Sequence, residues 1–265
     1  MKTMQLRGPW TATLVVLVLA SVGSRADVVI NNGGFEAGFA SWIRADQTGS
    51  NGTFLIQTGL VSPVNGTGVP TPPGGTRAAM SDAQGPGTHV LYQDFVVPPL
   101  PIASAILSFD VFVGNRASAF FVPSPASLDF STPTLNQQAR VDILRGGTDP
   151  FSVSALDLLT NAYQTQLTDP LVSGYTHVTA NVTALLAANA GTTLRLRFAE
   201  ADNVSIFQFG VDNVSLVTSP VPEPPVWVLA CVAAAAGFGC YGGRRARSSA
   251  DTAMGPQRSA GAPTP

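Results

Sequence analysis

Arg140-Val141-Asp142-Ile143-Leu144 and Arg195-Leu196-Arg197-Phe198 decide the fold class of this chain. In both, polar and apolar side chains alternate with a period of two. Successive side chains of a β-strand point to opposite faces, so this is the pattern of a strand with one side on a core. Taken alone, it predicts half-solvated strands, apolar residues inward and arginines toward water.

Working outward, similar β-branched and aromatic runs occupy residues 27–31, 53–57, 89–96, 105–113, 138–144, 175–181, 193–200 and 207–217. Clusters of Gly, Pro, Asn and Asp at 62–75, 81–87 and 145–150 separate them. Many short strands with punctuated turns and few helical periods predict an all-β sandwich. Residues 182–189 read as one short helix or turn. The stretch 114–137 is longer than most structureless loops, which marks it as a functional loop or a flap over one sandwich face.

Composition narrows the function classes. Between Asp27 and Pro220 seven arginines face fourteen acidic residues, a net charge of about −7. Nucleic-acid binding needs a basic footprint, so nucleic acid is not an expected partner. Lys2 is the only lysine, and Cys231 and Cys240, the only cysteines, lie in the C-terminal apolar run. The region between the termini therefore offers no amine or thiol nucleophile, no disulfide and no cysteine-ligated metal, and its core must stabilise it.

Both ends read as targeting segments. Lys2 and Arg7 precede an apolar stretch from Trp10 to Ala20, and Ser24-Arg25-Ala26 supplies small residues before a cut after Ala26. This is a secretory signal peptide, too short to span a bilayer. Near the other end, residues 226–243 hold no charge and are followed by Arg244-Arg245-Ala246-Arg247. Eighteen residues at a rise of ~1.5 Å cover roughly 27 Å, enough to cross, and flanking arginines favour the cytoplasmic side.

Pro222-Glu223-Pro224 stands just before that run. Motif, short span and arginines, in this order, resemble the PEP-CTERM sorting signal. The resemblance implies recognition by exosortase, a membrane-embedded transpeptidase, with Pro222, Glu223, Pro224, Arg244, Arg245 and Arg247 as the sorting elements. It departs from the family in carrying a polar tail, 248–265, beyond the arginines. The expected organisation is a signal peptide at 1–26, a β-sandwich ectodomain at 27–219, a sorting and anchoring segment at 220–247 with its helix at 226–243, and the tail. The expected partners are signal peptidase, an exosortase-like enzyme, the membrane, and an exopolysaccharide or other glycan.

Two further motifs bracket the ectodomain: Asn31-Asn32-Gly33-Gly34-Phe35-Glu36 with Trp42 close behind, and Gly210-Val211-Asp212-Asn213-Val214-Ser215-Leu216. They resemble the first and last strands of jelly-roll, carbohydrate-binding-module-like domains. The resemblance implies that these strands lie near one another, and that Glu36 and Asp212 contribute to a structural calcium site. Calcium takes six to eight oxygens, which an Asn/Gly/Glu stretch can help supply. The competing reading is that such side chains bond their own backbone and need no ion.

No catalytic set emerges, so the expected protein is not an enzyme. His89 and His177 lack zinc-ligand spacing and read as strand residues, and there is no G-x-S-x-G elbow. Asp110 and Asp142 are the carboxylates a glycosidase would need, but on alternating strands they read as exposed or edge residues. Phe120, Phe121, Phe130, Phe151 and Phe207 lie in or near long loops, as a sugar platform if exposed and as loop anchors if buried. Sequons at Asn51, Asn65, Asn181, Asn203 and Asn213 raise a eukaryotic glycoprotein, against which Asn213 argues by its place in the final strand.

Overall fold

The computed structural model describes residues 26–82, 85–99 and 101–222. Pro222 is exposed. The signal peptide, Glu223, Pro224, the apolar run, Arg244, Arg245, Arg247 and the tail lie outside the described residues. No helix among the described residues is long and apolar enough to cross a membrane.

Among the described residues, eleven strands and one helical turn follow in order: β1 (Asp27–Val28), β2 (Ile43–Asp46), β3 (Thr53–Thr58), β4 (Arg77–Asp82), β5 (Gly87–Val96), β6 (Ile102–Asn115), β7 (Gln137–Arg145), β8 (Leu158–Gln164), β9 (Thr176–Asn181), α1 (Thr183–Ala188), β10 (Thr193–Asp202) and β11 (Phe207–Pro220). One sheet runs β3-β4-β11-β6-β9, with β1 also on β11; the other runs β2-β5-β10-β7-β8. Every pairing is antiparallel. This is the β-sandwich that the alternation predicts, with the helix where residues 182–189 placed it. Strands β2, β4 and β8 carry weaker periodicity and escaped the sequence reading, and β1 is shorter than expected.

The core between the sheets is aromatic. Trp42 packs on Phe35 at 5.3 Å and on Phe198 at 5.9 Å between ring centroids, and Phe198 meets Phe109 edge-on at 5.5 Å. Phe35 is fully buried although its φ is 56°, a left-handed conformation that costs roughly 1–2 kcal/mol for a residue with a Cβ. Ring burial of roughly 1.5–3 kcal/mol offsets that strain. The turn around it is organised by Asn32, whose side-chain nitrogen donates to the carbonyls of Gly38 and Ala40 and whose backbone carbonyl accepts from Trp42 Nε1. Gly33 follows because Val214 N–H donates to its carbonyl, so close that an added Cβ would collide with the Val214 carbonyl.

The outer faces depart most from expectation. β7 reads as half-solvated, yet eight of its nine residues are buried, and Arg197 on β10 is fully buried. Asp110 and Asp142 are buried rather than exposed. The reason is coverage by the chain's own loops. Leu128 of the 114–137 stretch packs on Val90, Ala199 and Ala201 of the five-stranded sheet, with Phe151 and Val153 beside them. On the other sheet, Val69 packs on Met80 and Phe112, beside Tyr175. The long insertion is therefore a flap over one sandwich face.

The strands also define two opposite ends. At one, β11 begins with Phe207 opposite Asn115. At the other, Pro220 lies opposite Ile102, Asp27 pairs with Thr218, and Val221 N–H donates to the Pro101 carbonyl. Both ends of the described domain thus leave from the same end of the sandwich. The connections 47–52, 116–136, 165–175 and 203–206 crowd the opposite one.

Candidate functional site

Glu36 and Asp212 are brought to one turn, residues 72–77, as the resemblance implies. The Glu36 carboxylate accepts from the Thr76 N–H at 2.7 Å, the Thr76 hydroxyl at 2.8 Å and the Arg77 N–H at 2.9 Å. Those Thr76 and Arg77 bonds and the Arg77 charge hold it below the usual carboxylate range, against a smaller desolvation effect. Asp212 accepts from Gly74 N–H at 3.0 Å and from Asn213 N–H at 2.7 Å. Gly74 and Gly75 are required here: a Cβ on either would run into Asn213 or Glu36.

Asp110 stands across the ladder from Asp212. It accepts from His177 Nδ1 at 2.7 Å and from Asn213 Nδ2 at 2.6 Å. Burial, reinforced by the charges of Asp110 and Glu36 and opposed by the Gly74 and Asn213 hydrogen bonds, pushes the Asp212 carboxyl up to about 6. Tyr175, half-buried beside the two aspartates, has its phenol pushed up by desolvation first and by their charges second.

A calcium ion at this turn would compete with the hydrogen bonds that these carboxylates accept. The oxygens of Glu36 and Asp212 serve as acceptors for the 72–77 turn, and the described residues contain no group of three or more His, Cys, Asp or Glu placed to hold a metal. Calcium takes six to eight oxygens, which these two carboxylates would supply only together with backbone and amide carbonyls. What they form is a hydrogen-bonded clasp on the turn.

The outer face of the five-stranded sheet holds the strongest charge cluster. Asp142 accepts from Arg140 Nε and Nη2 at 2.7 and 2.8 Å, from Arg197 Nε and Nη2 at 3.1 and 2.5 Å, and from Asn161 Nδ2 at 2.8 Å. Burial would raise this carboxyl, but the Arg140 hydrogen bond and the Arg197 and Arg140 charges outweigh it and hold it low. Arg197 Nη1 also donates to the carbonyls of Pro150 and Ser152, both at 2.7 Å. Arg195 clamps Asp94 through two bonds, lies 3.9 Å over the Tyr92 ring and donates to the Thr148 carbonyl. These arginines do not wait for a ligand: they pin residues 146–157 onto the sheet.

Asn203 does the same for the flap. Its side-chain nitrogen donates to the carbonyls of Phe130, Thr132 and Thr134, and its oxygen accepts from Asn136 N–H. The sequons at Asn203 and Asn213 thus have their amide nitrogens committed to internal bonds.

Asp110 and Asp142 lie on different sheets, β6 and β7, and do not form a catalytic pair. His89 and His177 are strand residues, as read. Phe120 and Phe207 stack edge-on at 6.0 Å and are buried, Phe151 packs under its loop, and Phe121 and Phe130 are half-buried. Most of the loop aromatics are anchors.

Open concavities occur at the loop end. One, of about 490 Å³, is lined by Phe120, Phe121, Val122, Leu135, Gln166 and Leu167; a smaller one, of about 280 Å³, involves residues 202–206. Neither was legible in sequence, because their walls come from connections distant along the chain.

Fold and site together define a class: an antiparallel β-sandwich with part of each outer face covered by its own loops. No family model and no curated protein matches the chain. Among solved structures it is similar to TmCBM61 in complex with β-1,4-galactotriose, at 11% identity and a TM-score of 0.42, covering 72% of this chain and 97% of that one. It is similar also to the Stig cyclase Fisc from Fischerella sp. TAU, at 17% identity and 0.43, covering 74% and 100%. A third is the K3 cleaved adhesin domain of Lys-gingipain from Porphyromonas gingivalis W83, at 18% and 0.42, covering 73% and 100%. A sugar complex, a cyclase and an adhesin domain share no single function, and likenesses this loose select none of them.

Proposed function

We propose that this is an exported, non-catalytic bacterial surface or matrix-associated protein, engaged with the membrane through its C-terminal segment. The observation that carries the reading is the sequence order Pro222-Glu223-Pro224, an uncharged run at 226–243, then Arg244, Arg245 and Arg247. Two features of the domain are compatible with it. Its chain ends leave together, so one end can be tethered while the loop end stays accessible. Its charged clusters are consumed in holding loops rather than arranged around a reacting atom.

The test is the mature protein's termini and cell fraction. We expect an N-terminus at Asp27, and a C-terminal span that stays attached once Pro222, Glu223 and Pro224 are replaced. The same mature C-terminus with and without the motif, measured by mass spectrometry, would refute sorting through it.

A second reading, glycan binding, has one observation in its favour: the 490 Å³ depression with Phe121 in its wall. Loops cover part of each sheet face, and the depression itself lies at the loop end. Glycan-array binding lost on Phe121→Ala and Leu167→Ala, but kept on Arg195→Lys, would favour it.

A further inference from the structure

Sheet edges are where a β-sandwich is exposed to another chain, because an edge strand offers a row of unused N–H and C=O groups. Three of the four long edges here are guarded. β2 is four residues long and carries Arg44 and Asp46. On β3, the Phe54 carbonyl accepts from Arg44 Nη1 at 2.9 Å. β8 is broken by two register shifts against β7, with Asn161 Nδ2 bonding the carbonyls of Val141 and Tyr163. β9, Thr176-His177-Val178-Thr179-Ala180-Asn181, has no proline, lysine, acid or bulge, and among the described residues pairs only with β6.

The register fixes which groups are open. Val182 N–H donates to the Ala105 carbonyl, just beyond the Ile106–Asn181 pair. Hydrogen-bonded and non-bonded pairs alternate in an antiparallel ladder, so Thr176, Val178 and Ala180 point their backbone groups at β6. His177, Thr179 and Asn181 therefore point theirs away from the sheet. Their side chains lie on the outer face and are exposed, while Val178 and Ala180 pack on the core.

We propose that β9 pairs with the β9 of a second copy of this chain, extending the six-stranded sheet across a two-fold axis. A second copy fits because the edge is self-complementary. An axis perpendicular to the sheet keeps both cores on the same side, and a register centred on the middle outward-bonding residue is the one that pairs all three open residues of one β9 with all three of the other. That centre is Thr179: it meets Thr179 of the other copy in a hydrogen-bonded pair, and His177 meets Asn181. Uncharged, short side chains at 178–181 put no like charges opposite one another. Six residues per copy is small beside the roughly 1,200–2,000 Å² of a standard stable interface, so the association is concentration-dependent. The inference is independent of the sorting proposal. If both hold, the paired copies' chain ends leave in opposite directions, which suits released molecules or molecules on facing surfaces.

The experiment uses the full chain in detergent, with Cys231 and Cys240 replaced by Ala. Sedimentation equilibrium should show a reversible monomer–dimer system, weakened at least tenfold by Thr179→Pro, which removes an N–H facing away from the sheet and so spares the fold. Thr179→Cys should be joined between copies by a short bifunctional thiol reagent, because paired Cα atoms lie about 5.5 Å apart. Thr176→Cys, three residues from the axis, should not. A wild-type chain that stays monomeric, a dimer indifferent to Thr179→Pro, or equal cross-linking at 176 and 179 would each overturn the proposal.

Discussion

Asp110 on β6 and Asp212 on β11 are direct partners across a β-ladder, two buried carboxylates facing each other with Asn213 donating to the first and Gly74 to the second. Like charges directly opposite are destabilising, and the molecule bears this pairing beneath the turn that Glu36 clasps.

A pH dependence follows from it. The Asp212 carboxyl titrates near 6 in the folded protein and near 3.8 when unfolded. Between those values the folded state holds the extra proton, so this group's contribution to stability falls as pH rises through the interval and levels off above it. Glu36 and Asp142, held low, act in the opposite direction at lower pH. Urea midpoints from pH 4 to 7 should therefore fall for the wild type relative to Asp212→Asn; parallel profiles would contradict the assignment.

The Arg140–Asp142–Arg197 cluster gives a second prediction. Removing one member of a buried ionic group leaves uncompensated charge and typically costs about 3–5 kcal/mol. Asp142→Ala should cost that much in chemical denaturation, since two buried guanidinium groups lose their carboxylate. The triple replacement Arg140→Met, Asp142→Leu, Arg197→Met should recover much of it, while losing the anchorage of residues 146–157, read as faster proteolysis there.

Asn203 tests the flap. Hydrogen bonds contribute about 1 kcal/mol each, and Asn203→Ala removes two N–H donors shared among three carbonyls and one accepted bond. A loss of about 2–4 kcal/mol is expected, with faster hydrogen exchange confined to residues 116–136. Uniform acceleration across the domain would mean that the flap is not a separate unit.

For the clasp, Glu36→Gln should lower the thermal midpoint, because the bonds to Thr76 and Arg77 weaken with the charge. Chelator and added calcium should leave the wild-type midpoint unchanged. A calcium-dependent rise lost in Glu36→Gln would instead restore the ion to this turn.

How much of this was legible beforehand varies by element. Arg195-Leu196-Arg197-Phe198 announced a strand correctly, and Leu196 and Phe198 are core residues as their parity required. The arginines were misplaced, since alternation records only that two faces differ and leaves open whether the second meets water or another part of the chain. Phe120 and Phe151 were ambiguous for the same reason. β4 went unseen because a loop covers its outer face at Met80, so it needs no polar side there, and β8 because its two register shifts against β7 break the alternation.

By itself the sequence determined the β class, the short helix, the missing amine and thiol chemistry of residues 27–220, and the nearness of Glu36 to Asp212 that its end motifs implied. Those properties are local, set by side-chain periodicity, residue type and short motifs. Only the tertiary structure decided that loops cover part of both faces, that buried arginines hold the 146–157 loop, and that β9 is an edge left open among the described residues. Each depends on which strand lies beside which and on groups tens of residues apart meeting. Long-range pairing of that kind is settled by the packing of the whole domain.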